Sequence, residues 1–439
     1  MNLYKKKIII ILLFYFFIIN SNFYYNNFKL NNFYKNSLNK QIKIGLVAGS
    51  VKNGGAERSA SLICYYFNKV KIFKLFLFTF KKKEKNEFYI NGNIERIIIK
   101  HNLIEVIKQK KIDILLYQTY NYRQIEELNK IKNLKTIIIN RSCYLHWIYY
   151  NKYYFFNTYY RILQNSEYII SLLPFENDYL FRKWGINSIL ISNFIPYEYN
   201  KIIPSDLSSN IILMIGRAND RTKRFDLGIK AMKFIISEVS QSEMKIISSL
   251  SNINYLLKLI KELNLENHIK FSGYTPNPSI YFKNASIHLF PTLVESFGNV
   301  LTETKIHGIP NILIGLDYVA ASNGGTVIIY DDSPLSLSKV SIKILKNKSY
   351  KIKLAREARL SMKRFRNDLI LKRWIKIILS VYNSKEKYQN LRNEGKKMPD
   401  EDAIKIIKNQ IHLLKKRQKK FINITINDII NFTFIKNLK

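Results

Sequence analysis

The chain has almost no cysteine and little acid. Only Cys64 and Cys143 occur in 439 residues, and they form no CxxC pair. Two scattered thiols support neither a disulfide framework nor a cysteine-ligated metal site. Asp and Glu number 32 against 71 Lys and Arg, a formal net charge of +39. One reading of that imbalance is a polyanionic partner, either nucleic acid or an anionic membrane face. The other is compositional. Lys, Asn, Ile, Phe and Tyr, all with AT-rich codons, crowd the whole sequence, and such a bias inflates lysine without selection for a partner. The lysines are spread through every segment, and no nucleic-acid motif is present, so nucleic acid is not expected as a partner. No internal repeat stands out beyond two similar halves.

Apolar residues make up 47% of the chain, enough for large buried cores. At roughly 100–200 residues per domain, the length suggests two or three domains. Lys5-Lys6-Lys7 precedes an apolar run from Ile8 to Ile19, and no charge returns until Lys29. The stretch is a signal anchor or a signal peptide. Asn20-Ser21-Asn22 is a poor cleavage site, which favours an uncleaved anchor over residues 1–28 and a stalk over 29–41. The expected location is a membrane, held by a single-pass N-terminal anchor (an endomembrane such as the ER or Golgi if the cell is eukaryotic). Lysines on both flanks leave the orientation open.

From Ile42 the texture changes. Lys43 to Ala48 is a short apolar run, the loop Gly49 to Gly55 follows, and Ala56 to Phe67 has helical apolar spacing. Strand, glycine-bearing turn and helix form the opening unit of a doubly wound fold. Further strands are expected at 72–80, 112–116, 135–139 and 168–171. The pattern restarts at Asn210, with strands near 244–247, 268–271, 286–290, 310–314 and 326–329. Near-continuous apolar strands alternating with helices imply parallel sheets covered on both faces. Two α/β domains are expected, over 42–200 and 201–383, the second closed by a helix from about Leu369 to Tyr382. A basic helical tail over 384–439 follows.

Ligands of such sheets bind outside the carboxyl ends of the strands. Two segments there carry chemistry. In Phe290-Pro291-Thr292 through Glu303 a strand breaks at Pro291, a loop carries Glu295, and a helix begins near Gly298. Unpaired amides at that helix start suit a phosphate or an electron-rich oxygen, and Glu303 can accept hydrogen bonds from sugar or ribose hydroxyls. The second segment is Gly216-Arg217 to Lys223, a basic loop after a strand-end glycine. Arg217 and Lys223 are placed to grip a diphosphate through charge-assisted hydrogen bonds, each about 1.5–3 kcal/mol. Asp400-Glu401-Asp402 matches the DxD pattern of metal-dependent transferases, but it lies in the polar tail, where acids are ordinary helix-start signals.

Gly54-Gly55-Ala56-Glu57-Arg58, Gly216-Arg217 with Lys223, Phe271-Ser272-Gly273-Tyr274 and Glu295 to Glu303 occur in this order. Together they resemble the family-4 retaining glycosyltransferases of GT-B fold, in which two Rossmann-like parallel-sheet domains face each other across a cleft. The resemblance runs from about Ile42 to Asn383. It implies a nucleotide-sugar donor, with Arg217 and Lys223 on the leaving diphosphate and Glu295 on the donor sugar. Glu303 is then expected on the ribose, and Gly54, Gly55, Gly216 and the Phe297-Gly298-Asn299 amides around the donor. It also implies retention, no metal or other cofactor, and a glycan, lipid-linked or protein acceptor. One departure stands out. Relatives carry a histidine facing the donor sugar after a middle strand of the first domain. Here either Asn140 or Arg141 stands at that place, and His146 is displaced from it.

Overall fold

The structure is a computed structural model. It describes residues 41–383, except 101, 119–130, 132–136, 142–162, 296, 317–318 and scattered positions between 164 and 187. The expected anchor, nearly all of the stalk and the basic tail lie outside the described residues. Among those described, no helix is long and apolar enough to cross a membrane.

The first domain is built on β1 (Ile42–Ala48), β2 (Phe73–Thr79), β3 (Glu95–Ile98), β4 (Ile114–Tyr117), β5 (Ile137–Arg141), β6 (Tyr168–Ser171) and β7 (Ile189–Leu190). They form one parallel sheet in the order β3-β2-β1-β4-β5-β6-β7. Helices α1 (Gly55–Phe67) and α2 (Leu103–Lys110) cover opposite faces of it. The second domain holds β8 (Ile211–Ile215), β9 (Glu243–Ile247), β10 (Ile269–Phe271), β11 (Ala285–Phe290), β12 (Asn311–Ile314) and β13 (Thr326–Ile329). Their order is β10-β9-β8-β11-β12-β13, again parallel. Its helices are α3 (Phe225–Glu238), α4 (Asn254–Glu262), α5 (Asn299–Ile306), α6 (Pro334–Lys346) and α7 (Lys348–Ser361). β4 and β12 are buried at every position, as strands covered on both faces must be. The short edge strands β3 and β7 were not expected from the sequence; each has too few apolar residues to stand out.

One assignment needs correction. Helix α8 (Asn367–Asn383), expected to close the second domain, packs into the core of the first. Its buried stripe of Ile370, Trp374, Ile377, Ile378 and Val381 joins the cluster around α1 and β1. Trp374 meets Phe67 edge-on, with ring centroids 5.6 Å apart. At the start of α8, Asn367 donates to the Tyr66 hydroxyl (2.6 Å) and the Ile195 carbonyl (2.8 Å). The chain thus crosses between the domains twice, near 191–210 and before α8.

The turn between β12 and β13 contains Gly325, whose φ is 62°. A Cβ there would lie 2.3 Å from the Leu354 carbonyl oxygen and the Ala358 nitrogen of α7. Both are backbone atoms and cannot step aside. Gly325→Ala therefore combines left-handed strain with overpacking and should destabilise the second domain by about 2–4 kcal/mol, read as a lowered denaturation midpoint.

Candidate active site

In both sheets the strand order reverses direction beside the first strand, between β1 and β4 and between β8 and β11. These are the switch points at which α/β sheets open a crevice. The loops after β1, β8 and β11 lie at their carboxyl ends, and they carry most of the candidate residues.

After β8, Gly216 leads into a single 3-10 turn at Arg221–Lys223. Asp220 caps it, accepting from the Thr222 amide (3.0 Å) and hydroxyl (2.7 Å). This turn is tied to the β11 loop by the Leu293 amide and the Thr292 hydroxyl, which donate to the Thr222 carbonyl at 2.8 and 3.1 Å. The tie brings together two residues 72 apart in sequence: Lys223 Nζ lies 3.0 Å from Glu295 Oε2. Arg217 turns back to Asp220 (3.1 Å) with its side chain 55% exposed, so it is accessible to a ligand.

Two helices point their amino ends into the same cleft. α1 begins at Gly55 with no side-chain cap, and Gly55 and Ala56 are exposed. The Glu57 carboxyl folds back on its own amide. Burial pushes its pKa up, against that hydrogen bond and the nearby charges of Arg217 and Lys81. α5 begins after Gly298, also without a side-chain cap. Gly298 has φ 73°, and a Cβ would meet Leu301 at 2.8 Å and Val319 at 3.2 Å, so glycine is needed for the turn that aims the helix. The two helix starts touch: Asn299 Nδ2 donates to the Gly55 carbonyl at 2.8 Å. Asn193, in the interdomain crossing, donates to Asn299 Oδ1 at 2.8 Å.

Glu303 lies one turn further along α5 and is only 4% exposed. Its charged neighbour comes from the other domain: Arg58 Nε, 3.5 Å away. Burial pushes the Glu303 pKa up and Arg58 draws it back. Arg58 also donates to the Pro276 carbonyl (2.9 Å) and stacks over Phe88, 4.8 Å from the ring centre. Arg58 ends the Gly54-Gly55-Ala56-Glu57-Arg58 motif without a role of its own in the sequence, and Asn193 is not marked by spacing at all. A hint for Arg58 is a cation early in a helix, where it opposes the macrodipole and needs another reason to be there.

The remaining candidates divide. Phe297 is buried in the second domain's core, edge-on to Phe365 at 5.3 Å, so only its backbone can reach a ligand. Arg141, at the end of β5, is buried. It donates to the Ser59 hydroxyl at 2.9 Å and to Asn193 Oδ1. It thus steadies the residue that holds Asn299 and does not open onto the cleft as a donor contact. Asn140, on β5, lies opposite Tyr117 of β4 in the parallel sheet. His146 and Ser296 lie outside the described residues.

Residues 198–361 match the family described as glycosyl transferases group 1. The architecture is that of GT-B proteins. Sucrose-phosphate synthase from Thermosynechococcus elongatus superposes with a TM-score of 0.65 at 15% identity, covering 79% of this chain and all of that one. HepE of Anabaena, solved with UDP and glucose, gives 0.61 at 15% identity over 77% of this chain and all of that one. The poly(glycerol-phosphate) alpha-glucosyltransferase of Bacillus subtilis (strain 168) is 24% identical over 180 residues, 39% of this chain and 26% of that protein. An uncharacterized glycosyltransferase of Haemophilus influenzae is 25% identical over 156 residues, 34% of this chain and 42% of its own. The matched regions thus span about a quarter and two fifths of these curated relatives. The fold is GT-B-like. The similarity to the group 1 glycosyltransferases lies in the second domain.

Lys305, two residues beyond Glu303, is fully buried and donates to the Ala321 (2.5 Å) and Asn323 (2.9 Å) carbonyls. Burial, then the charge of Arg364, lowers its pKa to about 7. The unfolded chain keeps that proton up to the ordinary 10.5. Between about 7 and 10.5 the unfolded state therefore binds more protons, and stability rises with pH there. Below 7 the full cost of the buried charge remains. Lys305→Met should be less stable than the parent, since two carbonyls lose their donor. The gap in melting temperature should widen from pH 6.5 to 9.

Proposed function

We propose that the chain is a glycosyltransferase that moves a sugar from a UDP- or GDP-sugar to an acceptor with retention of configuration. The reading rests on one observation above the others. Two helix starts without side-chain caps, one from each domain, meet in a cleft that also holds Lys223, Arg217 and Glu295. Bare helix amides and flexible cations suit a group with two phosphates. HepE was solved with UDP and glucose in a fold of this kind.

In this reading the donor enters at the Lys223–Glu295 ion pair and separates its partners. Lys223 and Arg217 turn to the diphosphate, and Glu295 accepts hydrogen bonds from the transferred sugar. As the bond from the anomeric carbon to the diphosphate breaks, negative charge grows on the departing oxygen. Lys223, Arg217 and the helix amides stabilise it more than they stabilise the intact donor, and this difference lowers the barrier. These groups carry the positive charge, and no metal is assigned. A glycan, lipid-linked or protein acceptor approaches from the first domain's side. Residues 1–28 hold the enzyme at a membrane.

The test is nucleoside diphosphate release by the full chain with a panel of UDP- and GDP-sugars. One donor should be consumed, and Lys223→Ala should lower its turnover by roughly 10²–10³-fold. Product NMR then reads the anomeric configuration; inversion would overturn retention. Binding of a nucleoside diphosphate without release from any donor would identify a sugar-nucleotide-binding protein instead of an enzyme.

A further inference from the structure

Glu303 and Arg58 face each other from opposite domains with the Tyr197 hydroxyl beside them, and Arg58 Nε is left unsatisfied by both. Their separation, 3.5 Å from Nε to Oε1, is an ion-pair distance at the outer limit of hydrogen bonding. Arg58 Nε is shielded from solvent and has no hydrogen-bond partner. Among the described residues no hydrogen bond reaches the Glu303 carboxylate; His307 bonds only its backbone carbonyl. Arg58 is not free to turn, because Pro276 holds Nη1 and the Phe88 ring lies under the guanidinium.

The chemistry of the gap selects what can fill it. An anion is repelled by Glu303 and a cation by Arg58. A hydroxyl suits both, since it donates to the carboxylate and accepts from Nε–H. An oxygen placed about 2.8 Å from each closes a triangle over the 3.5 Å separation. A vicinal diol offers a second hydroxyl to the other carboxylate oxygen. The family resemblance places the donor's ribose, a vicinal diol, at Glu303, and the inference rests on that placement and on the proposed nucleotide-sugar donor. We infer that Arg58 is the second half of the ribose site and reads one ribose hydroxyl jointly with Glu303. Because the two residues belong to different domains, that hydroxyl bridges the cleft, and nucleotide binding fastens the domains together.

The test is calorimetric titration of the full chain with UDP and GDP and with their 2′-deoxy and 3′-deoxy counterparts. The parent should lose on the order of tenfold or more in affinity when the bridging hydroxyl is removed. Arg58→Gln should bind the complete nucleotide more weakly and treat it and that deoxy counterpart alike, within about twofold. Arg58→Lys keeps the charge, loses Nε, and should show the same indifference; it serves if the glutamine variant does not fold. Undiminished discrimination in the folded variants would overturn the inference, as would tighter nucleotide binding, which would make Arg58 a plug. Binding by the parent without ribose discrimination would remove the ribose from Glu303 and the inference with it. No binding of either diphosphate would instead overturn the functional reading itself.

Discussion

The left-handed turn at Gly298 sets the direction in which α5 leaves the sheet, and the contacts of the cleft follow from it. Because α5 starts there with bare amides, Asn299 can reach the Gly55 carbonyl of the opposite domain. One turn later Glu303 meets Arg58, and two residues beyond that Lys305 plugs into the carbonyls of the 316–324 loop. Eight residues thus carry an anion-binding end, a cross-domain hydrogen bond, a buried acid and a buried base. A side chain at 298 would have to adopt the left-handed conformation and would press on the Leu301 and Val319 side chains.

The domains meet through an apolar cluster, in which Leu172, Leu173 and Ile195 pack with Phe297 and Leu301, and through polar contacts at the cleft. Asn299 with Gly55 and Asn193, Arg58 with Pro276 and Glu303, and Asn53 with Tyr274 all cross the cleft. Such contacts exchange readily with water or with a ligand, unlike the packing of Trp374 against Phe67 on the far side. α8 and the 191–210 crossing therefore supply a fixed joint, and the cleft contacts supply a surface that can open. On the proposed function, a donor enters between Lys223 and Glu295 and beside Arg58, where these replaceable contacts lie.

Much of this was legible in the sequence because the signals were local. Strand, glycine turn and helix at 43–67 and 210–230 gave the doubly wound halves, since parallel strands covered on both faces must be apolar throughout. The loops holding Arg217, Lys223, Glu295 and Gly298 could be placed because they follow strand ends. What could not be read depends on which surface meets which. The apolar stripe of α8 says that one face is buried, and nothing in it says that the first domain's core receives it. Arg141 looked like a cleft residue because it stands where similar proteins carry a histidine facing the donor, yet Ser59 and Asn193 take up its guanidinium. Arg58 and Asn193 gain their roles only when the domains close, and spacing along the chain carries no trace of that.

The net charge of +39 has a different relation to function. A field of that size draws in any anion, nucleotide sugars included, but it does not distinguish one from another. The cleft distinguishes by setting an acid beside each of its cations. Lys223 is paired with Glu295, Arg217 with Asp220, and Arg58 with Glu303. A simple anion would gain the cation of each pair and strand the acid beside it, which is costly wherever the acid is as buried as Glu303. A ligand with phosphates flanked by hydroxyls on both sides relieves cation and acid together. On the proposed function, the acids are therefore as much a part of selecting a nucleotide sugar as the bases are. The generic basicity of the chain serves the approach, and the paired charges decide what is kept.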